Sequence, residues 1–197
     1  ARRYIRMAEE SKNVDETGWY QRGADGSNEK GRRAWLWVAA TAAVVAFTVA
    51  LSRSQTVAKS LLGAVVIGTV ITDRYLGYRF VDIERRQVCW AHLYRDFVRI
   101  GERTGECGRI GRELARKAEK LFRLWGRYRA GRLDESVWEA ETAALRFRIR
   151  GLLERGAKLK TRRDEQSPRT RSKNSCAEIL ALEPAMWLFL STPDVGL

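Results

Sequence analysis

Apolar positions change their rhythm near Ala91. Before it they alternate or run unbroken; after it they return every three to four residues. Val14 to Tyr20 reads as a first strand. Gln21 to Arg33 holds Gly23, Gly26 and Gly31 and reads as a turn or loop. Ala34–Thr41 and Val44–Leu51 are β-branched and aromatic runs, suited to two buried antiparallel strands. Ser52-Arg53-Ser54 offers a helix N-cap; Val57, Ala58, Leu61 and Leu62 then share one helical face, and Gly63 can close the helix. Ala64–Thr72 is a continuous run rich in Val and Ile, as expected of a strand covered on both faces, and it ends at Asp73. Arg86–Trp90 is a shorter strand candidate.

Beyond Ala91, Leu93, Phe97 and Ile100 recur at helical spacing. Ile110, Leu114, Ala118, Leu121, Trp125 and Tyr128 form a long stripe that Gly131 stops. Ser136 with Glu139 is a capping-box signature, and Trp138, Leu145, Ile149 and Leu152 make a second stripe. The two stripes predict an antiparallel helical hairpin. A final helix is expected from about Ser175 to Leu182, with Pro184 opening another helical segment anchored by Trp187, Leu188 and Leu190. The element order predicts an α/β fold, a mixed sheet with flanking helices. The expected organisation is an N-terminal tail over 1–13, a core over 14–104, a helical hairpin insertion over 105–157, a basic linker over 158–173 and a helical segment over 174–197 returning to the core. Residues 1–13 also admit the end of a preceding helix.

Charge narrows the class of partner. Lys and Arg number 37 against 24 Asp and Glu, a net charge of +13. Such an excess favours polyanions: DNA, RNA or an anionic membrane surface. A merely solvated basic surface is the bland alternative. Cys89, Cys107 and Cys176 are widely spaced, lack a C-x-x-C, and share the chain with one histidine. That argues against a structural zinc site and a disulfide framework, and points to a reducing, cytoplasmic setting. Trp35 to Leu51 is uncharged and sits at the lower limit for a bilayer span. Its Ala, Val and Thr content fits two strands with a tight turn near Ala42-Ala43 instead; a small membrane protein using 35–51 and 61–71 is the rival reading. The chain opens on Ala1-Arg2-Arg3-Tyr4, with no initiator Met and no signal-peptide pattern, and reads as cut from something longer.

Candidate chemistry rests on two acids. Asp15 lies on the first strand and Asp73 just past the fourth. A helical connection favours parallel neighbours, so the two strands can lie side by side and bring both aspartates together. Paired carboxylates suit hard cations such as Mg²⁺ or Mn²⁺, and two such ions stabilise the attacking and leaving oxygens of a phosphodiester. The competing reading is that both residues cap strand ends, where Asp is common. His92 either lies near the reacting phosphate or packs as a helix cap; Arg95, on the same helix, either reaches a phosphate or pairs with Asp96 or Glu102. Lys158, Lys160, Arg162, Arg163, Arg169, Arg171 and Lys173 are candidates for contact with a nucleic-acid backbone, or a solvated linker.

The blocks around these acids occur in a telling order: Val14-Asp15-Glu16-Thr17-Gly18-Trp19, Arg33-Ala34-Trp35-Leu36-Trp37-Val38, Thr72-Asp73-Arg74-Tyr75 with Tyr78, and Cys89-Trp90-Ala91-His92-Leu93-Tyr94-Arg95-Asp96-Phe97. The series, with Trp187-Leu188-Phe189-Leu190 and Pro193-Asp194-Val195, closely resembles bacterial transposases of the insertion-sequence-66 family over roughly residues 14–197. The resemblance implies a ribonuclease-H-like core with an inserted helical hairpin. It implies Asp-Asp-Glu chemistry: Mg²⁺- or Mn²⁺-dependent cleavage at element ends and strand transfer into target DNA, by a homo-oligomer assembled on DNA, without a small-molecule cofactor. Asp15 matches the first catalytic acid and Asp73 the second. The third, a glutamate, is expected just past the equivalent of Leu197; Glu178 and Glu183 do not match its motif. The family's upstream DNA-binding portion is also expected outside this chain. The alternative is a non-catalytic, nucleic-acid-binding remnant lacking the third acid.

Overall fold

The computed structural model describes residues 1–20, 33–161, 167–192 and 195–197. The chain divides into two compact units, Ala1–Cys89 with Pro184–Gly196, and Trp90–Glu183 with Leu197.

The first unit is α/β. Its strands are β1 (Lys12–Tyr20), β2 (Arg33–Ala40), β3 (Val45–Ala50), β4 (Val70–Thr72) and β5 (Arg86–Val88), in the order β3-β2-β1-β4-β5. β1, β2 and β3 form an antiparallel meander, whereas β4 joins β1, and β5 joins β4, in parallel. The uncharged stretch around Ala42 is thus a hairpin. Thr41 shapes its turn: its hydroxyl accepts the Ala43 and Val44 amides at 3.2 and 3.1 Å. Among the described residues no helix is long and apolar enough to cross a membrane. Helices α1 (Arg2–Met7) and α2 (Gln55–Leu62), with short 3-10 turns at Leu76–Tyr78 and Ile83–Arg85, complete this unit's regular elements up to β5. Its core joins Ile5, Ala58, Leu61 and Leu62 from the helices to Val14, Trp37, Ala39, Ala46 and Val70 from the sheet.

Two departures from the sequence reading have physical causes. Residues 1–13 are not a tail: Ile5 is fully buried, and Lys12 opens β1 with no exposed surface. The Lys12 ammonium donates to the carbonyls of Ala8 and Ile67, so a polar residue is buried because two backbone acceptors meet it. Second, the Ala64–Thr72 run yields only a three-residue strand. Gly68 has φ +68°, and a Cβ there would strike the backbone of Glu9 and Glu10, so a left-handed glycine interrupts the extended run. Pro184–Gly196 groups with the sheet unit. Buried Gln87 of β5 anchors it, donating to the Met186 carbonyl at 3.0 Å and accepting the Phe189 amide at 2.9 Å.

The second unit is helical: α3 (Trp90–Gly101), α4 (Gly105–Arg129), α5 (Glu135–Ala157) and α6 (Pro168–Ala181), with the short α7 (Glu183–Met186) at the boundary. The expected hairpin is α4 with α5. Leu114, Ala118 and Leu121 are buried from one helix, Leu145, Ile149 and Leu152 from the other. Trp125, Tyr128 and Trp138 cluster near its tip, with the Tyr128 and Trp138 rings stacked at 4.9 Å. α3 and α4 approach backbone to backbone, and a Cβ on Gly111 would collide with Ile100 and Gly101. Accordingly α3 groups with the helical unit rather than with a core over 14–104. The N-cap of α5 is Asp134, two residues before the expected Ser136. α6 begins inside the stretch read as a linker: the Ser167 hydroxyl accepts the Thr170 amide at 3.2 Å, and Pro168 opens the first turn.

Candidate active site

β1 alternates buried and exposed over its first six residues, Lys12 to Thr17, and that alternation sorts its two acids. Asp15 stands on the exposed side with Asn13 and Thr17, whereas Glu16 points into the protein and is 9 % exposed. The parallel pairing of β1 with β4 matches Lys12 to Val70 and Asn13 to Ile71. The same offset, carried two residues on, sets Asp15 level with Asp73, one residue past the end of β4. Neighbouring strands run about 4.8 Å apart, so the two backbones are close at this level.

Asp73 is held from several directions. Its Oδ1 accepts the Tyr75 amide at 2.8 Å, and its Oδ2 accepts Arg53 Nη2 at 3.2 Å. Buried Arg86 of β5 fixes the backbone beneath, donating to the Thr72 hydroxyl at 3.0 Å and to the Asp73 carbonyl at 2.9 Å. Burial lowers the pKa of Arg86, and the Asp73 charge opposes that shift. Asp15 Oδ1 accepts the Glu16 amide at 2.9 Å.

The residue that ties the neighbourhood together is Arg53, in the turn before α2. Its Nη2 meets Glu16 Oε1 at 2.5 Å and Asp73 Oδ2 at 3.2 Å, so one guanidinium joins an acid from β1 to the acid after β4. The same guanidinium lies over the Tyr75 ring at 3.8 Å and near the Trp35 ring at 5.1 Å. Tyr75 donates its hydroxyl to the Arg53 carbonyl, and Tyr78 donates its hydroxyl to Glu16 Oε2. Burial raises the pKa of Glu16, outweighing the Tyr78 and Arg53 hydrogen bonds that pull it down. The Tyr78 phenol is pushed far up, first by burial, then by Glu16, with Asp73 and Asp15 adding to it. Three carboxylates therefore act on one phenol.

Sequence reasoning singled out Asp15 and Asp73 and missed this second layer. Glu16, Tyr75 and Tyr78 were present in the quoted blocks. Period-two alternation along β1 assigns Glu16 to the face opposite Asp15, but nothing in the sequence pairs it with Arg53, which arrives from a turn 37 residues on.

The other candidates lie in the helical unit. His92 is half-buried in the first turn of α3; Arg95 is exposed one turn later, its Nε donating to the Ala91 carbonyl at 3.3 Å. Lys158 is the C-cap of α5 and, like Lys160, is exposed. Arg162 and Arg163 lie outside the described residues, as does the glycine-rich stretch 21–32. Arg169, Arg171 and Lys173 belong to α6. Arg169 is engaged by the Lys160 carbonyl at 2.7 Å and by Glu106 at 3.3 Å.

Hard divalent cations take carboxylate oxygens, and Mg²⁺ commonly uses one or two of them and fills its remaining positions with water. Asp15 and Asp73 are donors of the right kind at one level of the sheet, and Arg53 joins Asp73 to Glu16, the acid on the face of β1 opposite Asp15. Among the described residues, no group of three His, Cys, Asp or Glu side chains is arranged to hold a metal ion.

The family model described as Transposase IS66 family matches residues 2–197. No curated protein and no solved structure matches the chain. A match over nearly the whole length, on a mixed α/β sheet carrying the expected acids, settles the family: this chain belongs to the IS66 family of transposases.

Proposed function

We propose that the sheet unit is the phosphoryl-transfer core of a DNA transposase, ribonuclease-H-like in architecture, with Asp15 and Asp73 as its first two metal-binding acids. The observation that carries this reading is the β1–β4 register, which sets the two aspartates at one level on neighbouring parallel strands. Asp15 and Asp73 would hold Mg²⁺ or Mn²⁺, and the bound cation would stabilise charge on the attacking and leaving oxygens of the phosphodiester. The chain's own residues prepare that position. Arg86 fixes the backbone that presents Asp73, and the Tyr75 amide orients one of its oxygens. Arg53 neutralises the neighbouring carboxylates, and Tyr78 holds Glu16 on the far side of the strand. The substrate in this reading is DNA, cut at element ends and joined to a target by a homo-oligomer in the cytoplasm.

The Arg53–Asp73 ion pair favours a second reading, in which a side-chain cation stands permanently where a metal would act and the chain binds nucleic acid without cutting it. Nicking of supercoiled plasmid in Mn²⁺ distinguishes the two. The catalytic reading expects nicking that needs the metal and disappears in both Asp15→Asn and Asp73→Asn. DNA binding without nicking in the unsubstituted chain supports the second reading, and nicking that survives both substitutions removes these acids from the chemistry.

A further inference from the structure

The helical unit carries a charge pattern that the phosphoryl-transfer site does not use. Arg109, Arg112, Arg116, Lys120, Arg123 and Arg127 all lie on α4. At 3.6 residues per turn they fall within an arc of about 80°. The opposite side of the helix is the buried one, formed by Ile110, Leu114, Ala118 and Leu121. The stripe therefore faces solvent along its length, which is about 27 Å at the helical rise.

Several cations elsewhere in this unit are ion-paired. Arg99 pairs with Asp96, Arg146 with Glu183, Arg150 with Glu154 and Arg169 with Glu106. Within the stripe, Lys120 pairs with Glu141, and Arg112 donates to the Gly101 carbonyl. Arg109, Arg116, Arg123 and Arg127 are exposed, and among the described residues none of them makes an ion pair. Glu113 and Glu119 border the arc without closing onto it; Glu119 accepts the Tyr94 hydroxyl at 2.9 Å. Arg109, Arg116 and Arg123 recur every seventh residue, so each step advances about 10.5 Å along the axis and drifts only about 20° around it.

We propose that this stripe of α4 is a track for the sugar–phosphate backbone of duplex DNA. The proposal rests on the transposase reading for the identity of the polyanion, and on the helical unit alone for its location. A rigid rod with open guanidinium groups at regular intervals matches a partner whose charge is also regular, one phosphate per about 1.7 Å of duplex axis. Guanidinium is weakly hydrated and can grip two phosphate oxygens at once, and five of the six basic residues here are arginine. Contacts of this kind set position and affinity and carry no base-sequence information.

The test is fluorescence anisotropy of the full chain on a labelled mixed-sequence DNA duplex, across a range of salt concentrations. Each lost phosphate contact removes about 0.9 from the slope of log affinity against log salt. The triple variant Arg109→Gln, Arg116→Gln, Arg123→Gln is expected to lower that slope by about 2.7. A charge-matched triple at exposed Arg2, Arg3 and Arg85 of the sheet unit is expected to leave it nearly unchanged. Circular dichroism checks that both triples remain folded, which their exposure favours. Equal losses in the two triples, or no loss in the α4 triple, overturn the track. An unsubstituted chain that does not bind duplex DNA at all overturns the DNA reading itself, a separate failure.

Discussion

Arg53 and Arg116 carry the same guanidinium into opposite circumstances. Arg53, in the sheet unit, touches two carboxylates and two aromatic rings. Arg116, on the solvent side of α4, is exposed and makes no ion pair among the described residues. Around Glu16, whose side chain has no exposed surface, charge is desolvated and has to be matched atom by atom, because an unpaired buried charge is costly. On the helix, water screens it and no partner is required. The contrast separates two kinds of function: a fixed arrangement that orients acids, and an open surface available to a polyanion.

The comparison breaks most visibly if Arg53 is removed. Arg53→Gln leaves Glu16, whose side chain has no exposed surface, with Tyr78 as its remaining side-chain donor. We expect a loss of about 3 kcal/mol at neutral pH in urea denaturation without divalent metal, near the lower end for breaking a buried pair, since Arg53 itself is partly exposed. The loss should depend on pH in a definite direction. Glu16 is already raised by burial, and without its cation it is raised further. A group whose folded pKa lies above its unfolded value contributes stability in full below the unfolded pKa, and that contribution fades as pH climbs through the folded one. The deficit of Arg53→Gln should thus be smallest near the ordinary carboxylate range and widen toward neutrality. A deficit that narrows with rising pH contradicts the burial of a charged Glu16.

Next in size is the crossing of α3 and α4, which positions the basic stripe. Gly111→Leu forces a side chain against the backbone of Gly101 and should cost about 2 kcal/mol, read from thermal or urea unfolding. Smallest is Arg116→Gln, expected within about 0.5 kcal/mol of the unsubstituted chain, as befits an exposed site with no ion pair among the described residues. A large loss there would mean that the stripe is structural.

How far the sequence alone reaches follows the same division. The helical stripes and the hairpin were legible because burial repeats at the helical period: Ile110, Leu114, Ala118 and Leu121 are all buried. The β2–β3 hairpin was legible from β-branched runs and a short break. Helix α1 was not, because only Ile5 of its six residues is buried, and one apolar anchor makes no period. β4 was overestimated because composition cannot show that Gly68 must pass the Glu9 backbone. Asp15 and Asp73 stood out through the family resemblance and through strand order. The Arg53, Glu16 and Tyr78 network did not, since it joins residues from three separate elements and only the folded chain brings them into contact. Boundaries failed where a cap was chosen by motif: Ser136 with Glu139 marked a capping box, yet α5 starts at Glu135 with Asp134 as its N-cap.

The measurement that bears most directly on the central claim is anomalous diffraction from crystals of the full chain soaked in Mn²⁺. The account predicts a manganese peak within coordination distance of both the Asp15 and Asp73 carboxylates. Manganese bound elsewhere, or the two carboxylates turned to opposite faces of the sheet with none between them, would contradict it.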